Sequence, residues 1–164
     1  MKHQIDIYNK TKIKIEKIFL KNITQVSLDS LKTNKPCEIS LFLVDKKFIK
    51  ELNRNFRGVN FPTDVLAFSI FNKEHKSIDL PDNILHLGDV VICLPITKKQ
   101  ASKNKQPFKL ELAILLIHGI LHLFGYNHNN KKHKNKMDFV SQKILRILTN
   151  NKIINKTSNY EKIN

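Results

Sequence analysis

His118-Gly119-Ile120-Leu121-His122-Leu123-Phe124-Gly125-Tyr126-Asn127-His128 is the stretch on which the reading of this 164-residue chain turns. It ends a run that starts after Pro107 and is apolar nearly all round, from Leu112 through Ile117 to Leu123 and Phe124. A helix without a polar face must be enclosed by protein. The pattern therefore predicts a central buried helix, opened by Pro107 in its first turn and stopped at Gly125. His118 and His122, four residues apart, project from one face of that helix and can meet a single ion. A sharp turn at Gly125 can return His128 to the same ion as a third nitrogen ligand. Three protein ligands leave one position open to water, the arrangement of catalytic rather than structural zinc, and zinc lowers the pKa of such water to ~7. The chain has seven histidines. Three of them at this spacing would arise by chance with a probability on the order of one per cent for a motif chosen in advance.

Working outward, Ile5-Asp6-Ile7-Tyr8 alternates as a short strand does. Ile15, Ile18, Phe19, Ile23 and Val26 recur at the helical period. Cys37 to Val44 reads as a strand with Ile39, Leu41 and Leu43 on one side and Ser40, Phe42 and Val44 on the other. Both sides are partly apolar, so it should be central. Asp45 suits the N-cap of a short helix to Leu52, and Asn53 to Thr63 reads as a polar connection. Further strands are expected at Val65 to Ile70 and Leu87 to Leu94, flanking a charged surface loop at 72–83. Pro95 ends the last strand, a short helix covers Ile96 to Lys103, and a final amphipathic helix carries Met137, Val140, Ile144, Ile147 and Leu148 on one face. The fold class is α+β, with one mixed sheet of about four strands and helices packed on it. Residues 1–150 form the expected single domain and 151–164 a polar, frayed tail.

Composition narrows the function. Twenty-nine Lys and Arg against 14 Asp and Glu give a formal charge of +15, a field that attracts polyanions. A Lys-, Asn- and Ile-rich composition also follows from codon bias in an AT-rich genome. No Trp and three Tyr are present, although Phe is 10, which weakens a base-stacking platform as the main device. No run reaches the ~20 apolar residues of a membrane span, and the N-terminus has no apolar signal core. A cytoplasmic protein with no membrane association is expected. Cys37 and Cys93 make no disulfide framework, and Cys93, in a strand, reads as a buried structural thiol. His133, among lysines, reads as solvated.

The spacing H-x-x-x-H-x-x-G-x-x-H is that of metzincin proteases, which place Glu directly after the first His as general base. Here that position is Gly119, so peptide hydrolysis by that route is disfavoured. His118-Gly119 to His128, with Leu121, Gly125 and Tyr126, instead resembles the signature of the YbeY family of metal-dependent endoribonucleases, the bacterial ribosomal RNA maturation factors. Upstream, Leu52-Asn53-Arg54-Asn55-Phe56-Arg57-Gly58 with Pro62-Thr63-Asp64-Val65-Leu66-Ala67-Phe68 resembles that family's second block. Leu87-Gly88-Asp89-Val90-Val91-Ile92-Cys93 resembles its third.

The resemblance implies a zincin-like fold and one zinc ion per chain on His118, His122 and His128. It implies cleavage of single-stranded RNA in ribosomal RNA maturation, at the 16S 3′ end, and in ribosome quality control, with the ribosomal small subunit as partner and no small-molecule cofactor. It also implies that Arg57 is a key active-site residue, and a fixed guanidinium does suit clamping a phosphate as charge develops on it. One position departs from the family, which places Asp before the third His. Asn127 can hydrogen-bond there but cannot accept a proton. Two other readings stand beside the endoribonuclease: a non-catalytic ribosome-assembly factor stabilised by zinc, and a zinc peptidase. The sequence leaves the oligomeric state open.

Overall fold

A computed structural model describes residues 2–70 and 83–155. Strands β1 (Gln4–Asn9), β2 (Cys37–Val44), β3 (Val65–Ser69) and β4 (Leu85–Cys93) form one sheet in the order β1-β2-β4-β3. The β1–β2 and β2–β4 pairs are parallel and β3 is antiparallel to β4. The helices are α1 (Lys17–Ser30), α2 (Lys46–Arg57), α3 (Leu94–Lys103), α4 (Phe108–Leu123) and α5 (Lys131–Asn150). The expected α+β class and four-stranded mixed sheet are what the chain adopts.

The period-2 pattern of β2 explains the layering. Ile39, Leu41 and Leu43 point into the main core with Ile7, Leu87, Val90 and Ile92, under α1, α4 and α5. Phe42 and Val44 point to the other face, where Ile49, Phe48 and Leu52 of α2 cover Leu66, Val91 and Cys93. A strand buried on both faces carries apolar residues on both, as β2 does. Gly88 makes the switch in β4, where the register slips between Glu38 and Ile39. Its φ is +114°, and a Cβ there would stand 2.0 Å from the Phe68 carbonyl oxygen, so no other residue fits the bulge. Helix α4 runs through the middle, touching α1, α3, α5, β3 and β4. No single helix among the described residues is long and apolar enough to cross a membrane.

Three local expectations shift. In α1 the buried face is Phe19, Leu20, Ile23, Thr24, Ser27 and Leu28, while Ile18 is 60% exposed and Ile15 precedes the helix. Thr24 and Ser27 donate their hydroxyls to the Leu20 and Ile23 carbonyls at 2.9 and 2.8 Å, which satisfies them inside the helix and lets them face the core. Helix α2 is capped by Asp45, whose carboxylate accepts from the Phe48 amide at 2.8 Å. It does not stop at Leu52: Asn53 is buried and its amide donates to the Phe61 carbonyl at 2.7 Å, so the helix continues to Arg57 and closes on Gly58 at φ +69°. At the other end of the chain, Ile154 packs into the main core at 2% exposure, so ordered packing extends past 150. The rest of the tail, 156–164, and nearly all of the loop expected at 72–83 lie outside the described residues.

Candidate metal centre

The turn after α4 forms because the helix ends in a Schellman motif. Gly125 has φ +79°, its amide donates to the His122 carbonyl at 2.9 Å, and the Tyr126 amide donates to the Leu121 carbonyl at 3.1 Å. These two bonds take up orphan carbonyls of the last turn and require the left-handed residue that Gly supplies. The Ser69 hydroxyl on β3 donates to the Leu123 carbonyl at 3.0 Å, tying the same helix end to the sheet. The chain is thereby turned back, and His128 arrives beside His118, their rings stacked at 5.1 Å between centroids.

The ligand nitrogens of His118, His122 and His128 all lie within 4.8 Å of one another. The Nε2 atoms of His118 and His122 face each other at 3.0 Å. Two nitrogen ligands of one tetrahedral zinc stand about 3.3 Å apart, given Zn–N of ~2.0–2.1 Å, so the pair is spaced as a bidentate site requires. The charge state also fits, since a metal needs neutral imidazole. His118 is pushed down to about 4, chiefly by burial, then by His122 and His128, with Asp64 and Asp138 opposing. His122 is lowered by burial above all, and His128 and Arg57 act in the same direction. A bond between the His122 ring and the Tyr126 backbone works the other way, as donation of a ring N–H to a carbonyl does. With Nε2 turned to His118, that donor is Nδ1. It is the outer hydrogen bond that fixes the tautomer of a metal-ligating histidine.

Arg57 is exposed at the C-terminal end of α2, close enough for its guanidinium to oppose protonation of His122. Sequence separation gave no indication of this proximity. Helix α2 lies on the far face of the sheet and runs on to residue 57. Gly119, by contrast, faces the sheet: a Cβ there would meet Val90 Cγ1 at 2.6 Å.

Asn127 shapes the loop. Its Oδ1 accepts from the Asn129 amide at 3.2 Å and from His133 Nδ1 at 3.1 Å, and its Nδ2 reaches the Gly125 carbonyl at 3.5 Å. A carboxylate could make the first two bonds but not the third. His133, expected to be solvated, is exposed yet tied to Asn127, and its amide donates to Asn130, the N-cap of α5, at 2.8 Å. Cys93 is fully buried against α2, and burial raises its thiol pKa. Two carboxylates act on His118, Asp64 and Asp138; Asp64 lies in the second motif block, but its relation to His118, like that of Asp138, arises from packing of β3 and α5 against α4.

A family model described as Endoribonuclease YbeY matches residues 4–149. An Endoribonuclease YbeY of Syntrophomonas wolfei is 36% identical over 126 residues, covering 76% of this chain and 81% of that protein. One of Persephonella marina is 43% identical over 128 residues, covering 78% and 80%, and one of a Sulfurihydrogenibium species is 40% identical over 134 residues, covering 82% of each. A Thermotoga maritima protein with a structure determined in solution superposes with a TM-score of 0.57 at 26% identity, over 97% of this chain and 99% of that one.

Proposed function

The chain belongs to the YbeY family of endoribonucleases, and from that premise we propose that it is a zinc-dependent endoribonuclease. Its substrate is single-stranded RNA, and its place is ribosomal RNA maturation, at the 16S 3′ end, and ribosome quality control on the small subunit. The observation that carries the reading is the convergence of His118, His122 and His128, with the Arg57 charge acting on His122. A divalent ion held by the three histidines supplies Lewis acidity and a nucleophile at neutral pH.

The chain's own groups do the rest. The Tyr126 carbonyl holds the His122 Nδ1–H so that the Nε2 lone pair faces inward. Arg57, exposed at the end of α2, donates two parallel N–H bonds to the oxygens of the phosphate under attack and offsets the charge that builds there. Lys132, Lys136, Lys143 and Arg146 recur along one exposed face of α5, and with the net charge of +15 they supply affinity for the RNA backbone through counterion release. Position 119 faces Val90 and offers no proton acceptor, which argues against peptide hydrolysis.

The test is incubation of pure, zinc-loaded protein with a single-stranded RNA and with casein. RNA cleavage that stops on chelation, with casein intact, is the expected result. Chelator-sensitive proteolysis without RNA cleavage would overturn the reading.

A further inference from the structure

The two carboxylates near His118 differ in what holds them. Asp64 is fully occupied: its Oδ1 accepts from the Val65 amide at 2.8 Å and the Thr63 hydroxyl at 3.1 Å, and its Oδ2 from Gln100 Nε2 at 2.9 Å. Asp138 has no such partner. It lies on α5 at the rim of a cavity of about 320 Å³ that His118 also lines, together with Ile114, Met137, Ser141, Gln142 and Leu145. Among the described residues, the side chains of Asp138, Ser141 and Gln142 make no hydrogen bond. Three free polar groups thus surround an opening that has an apolar floor of Ile114, Met137 and Leu145 and touches the metal centre. That size is at the lower end of ligand pockets, room for one nucleobase with its ribose.

The charges acting on these two histidines are opposite. The Arg57 charge acts on His122, whereas Asp64 and Asp138 act on His118, with Asp138 lining the cavity that His118 also lines. A phosphate is drawn to Arg57 and repelled by Asp138, so a strand lying across the centre turns its backbone to Arg57 and a base to the cavity. Asp138 and Gln142 are four apart on α5 and therefore neighbours on one face. Together they present two carboxylate acceptors beside an amide donor. Among the four bases, guanine alone offers the complement on its Watson–Crick edge: two donors, N1–H and N2–H, beside the acceptor O6. Unstacked bases read on that edge are the usual targets of sequence-selective RNA binding.

We propose that the cavity beside His118 is a base-recognition subsite for a guanine next to the scissile phosphate. Asp138 accepts from N1–H and N2–H, Gln142 donates to O6, and Ile114, Met137 and Leu145 pack on the ring face. The inference rests on the ribonuclease reading for its place in the reaction, but binding at the subsite is measurable without turnover.

The metal-free full chain is titrated with guanosine, adenosine, cytidine and uridine 5′-monophosphates while the α5 amide resonances are followed. The phosphate contribution is common to all four and cancels in the comparison. Guanosine monophosphate should bind roughly tenfold tighter than the other three, as expected for one bidentate base contact. Asp138→Asn, an isosteric change at an exposed position, should erase that preference, and Gln142→Ala should weaken it. Equal affinities, or a guanine preference that survives Asp138→Asn, would overturn the subsite. Zinc-loaded protein is then given RNAs that differ only in carrying G or A beside the cut. Cleavage without an Asp138-dependent preference for G defeats the subsite and leaves the ribonuclease reading standing. Guanine-selective binding without cleavage does the reverse.

Discussion

Replacing Gly119 with alanine tests whether the residue after the first histidine is a structural contact with the sheet. In an open helical position Gly→Ala gains ~1 kcal/mol from propensity. Here the new Cβ would lie 2.6 Å from Val90 Cγ1, 3.2 Å from Val90 Cγ2 and 3.4 Å from Val65 Cγ2. Carbon atoms settle at ~3.5–4.0 Å, so the first contact overlaps by about 1 Å. Val90 cannot step aside easily: it is fully buried, β-branched and paired on both sides, with Leu41 and Ala67. Helix α4 must therefore lift from the sheet, an overpacking cost of ~1–3 kcal/mol. Less the ~1 kcal/mol propensity gain, the net destabilisation is about 0–2 kcal/mol, a Tm lowered by up to roughly 8 °C in a chain of this size. Thermal and urea unfolding of wild type, Gly119→Ala, Val90→Ala and the double variant measure it. In the Val90→Ala background the alanine should become neutral or stabilising, a coupling that a double-mutant cycle isolates. Gly119→Glu, the protease's residue, should destabilise more than alanine and yield no peptidase. A Gly119→Ala protein more stable than wild type would refute the packing argument.

Arg57→Ala should leave zinc content intact, weaken RNA binding modestly and slow single-turnover cleavage on the order of a hundredfold, with Arg57→Lys recovering only part because an ammonium lacks the planar fork; cleavage at the wild-type rate would remove Arg57 from the site. His122→Ala should abolish stoichiometric zinc by elemental analysis, and an unchanged zinc content would sink the ligand assignment. The folded chain holds His118 neutral, with its pKa pushed from 6.5 down to about 4. The unfolded chain binds that proton more readily, so the stability tied to His118 is full above pH ~6.5 and is lost as pH falls toward 4. Under chelation the Tm of wild type should drop more across that window than that of His118→Gln, and parallel curves would contradict it. Gly88→Ala should cost more than ~3 kcal/mol, because backbone strain at φ +114° adds to a collision with the fixed Phe68 carbonyl; wild-type stability by urea unfolding would refute the bulge.

Sequence alone determined what depends on spacing along one element or one turn. The apolar run of α4 required burial on every side, the two-sided pattern of β2 required a central strand, and Asp45 announced a cap. His118, His122, Gly125 and His128 declared a histidine cluster that could hold a metal, because their geometry is local: one helical turn followed by one left-handed glycine. The extent of α2 was hidden, since Asn53 reads as polar but is buried and bonded to Phe61, a partner that exists only once the 58–64 segment folds back. The buried face of α1 was read too narrowly for a similar reason: Phe19, Ile23, Val26 and Ile15 do pack on the core, but Thr24 and Ser27, whose hydroxyls are satisfied within the helix, carry no apolar signal, and Ile18 is exposed. Only the tertiary structure decided that the Arg57 charge acts on His122, that Gly119 leans on Val90, and that Asp138 lines a cavity with His118. Each of these joins residues from separate elements packed on either face of the sheet. Such contacts are set by how the layers stack, and no periodicity within a single element records that.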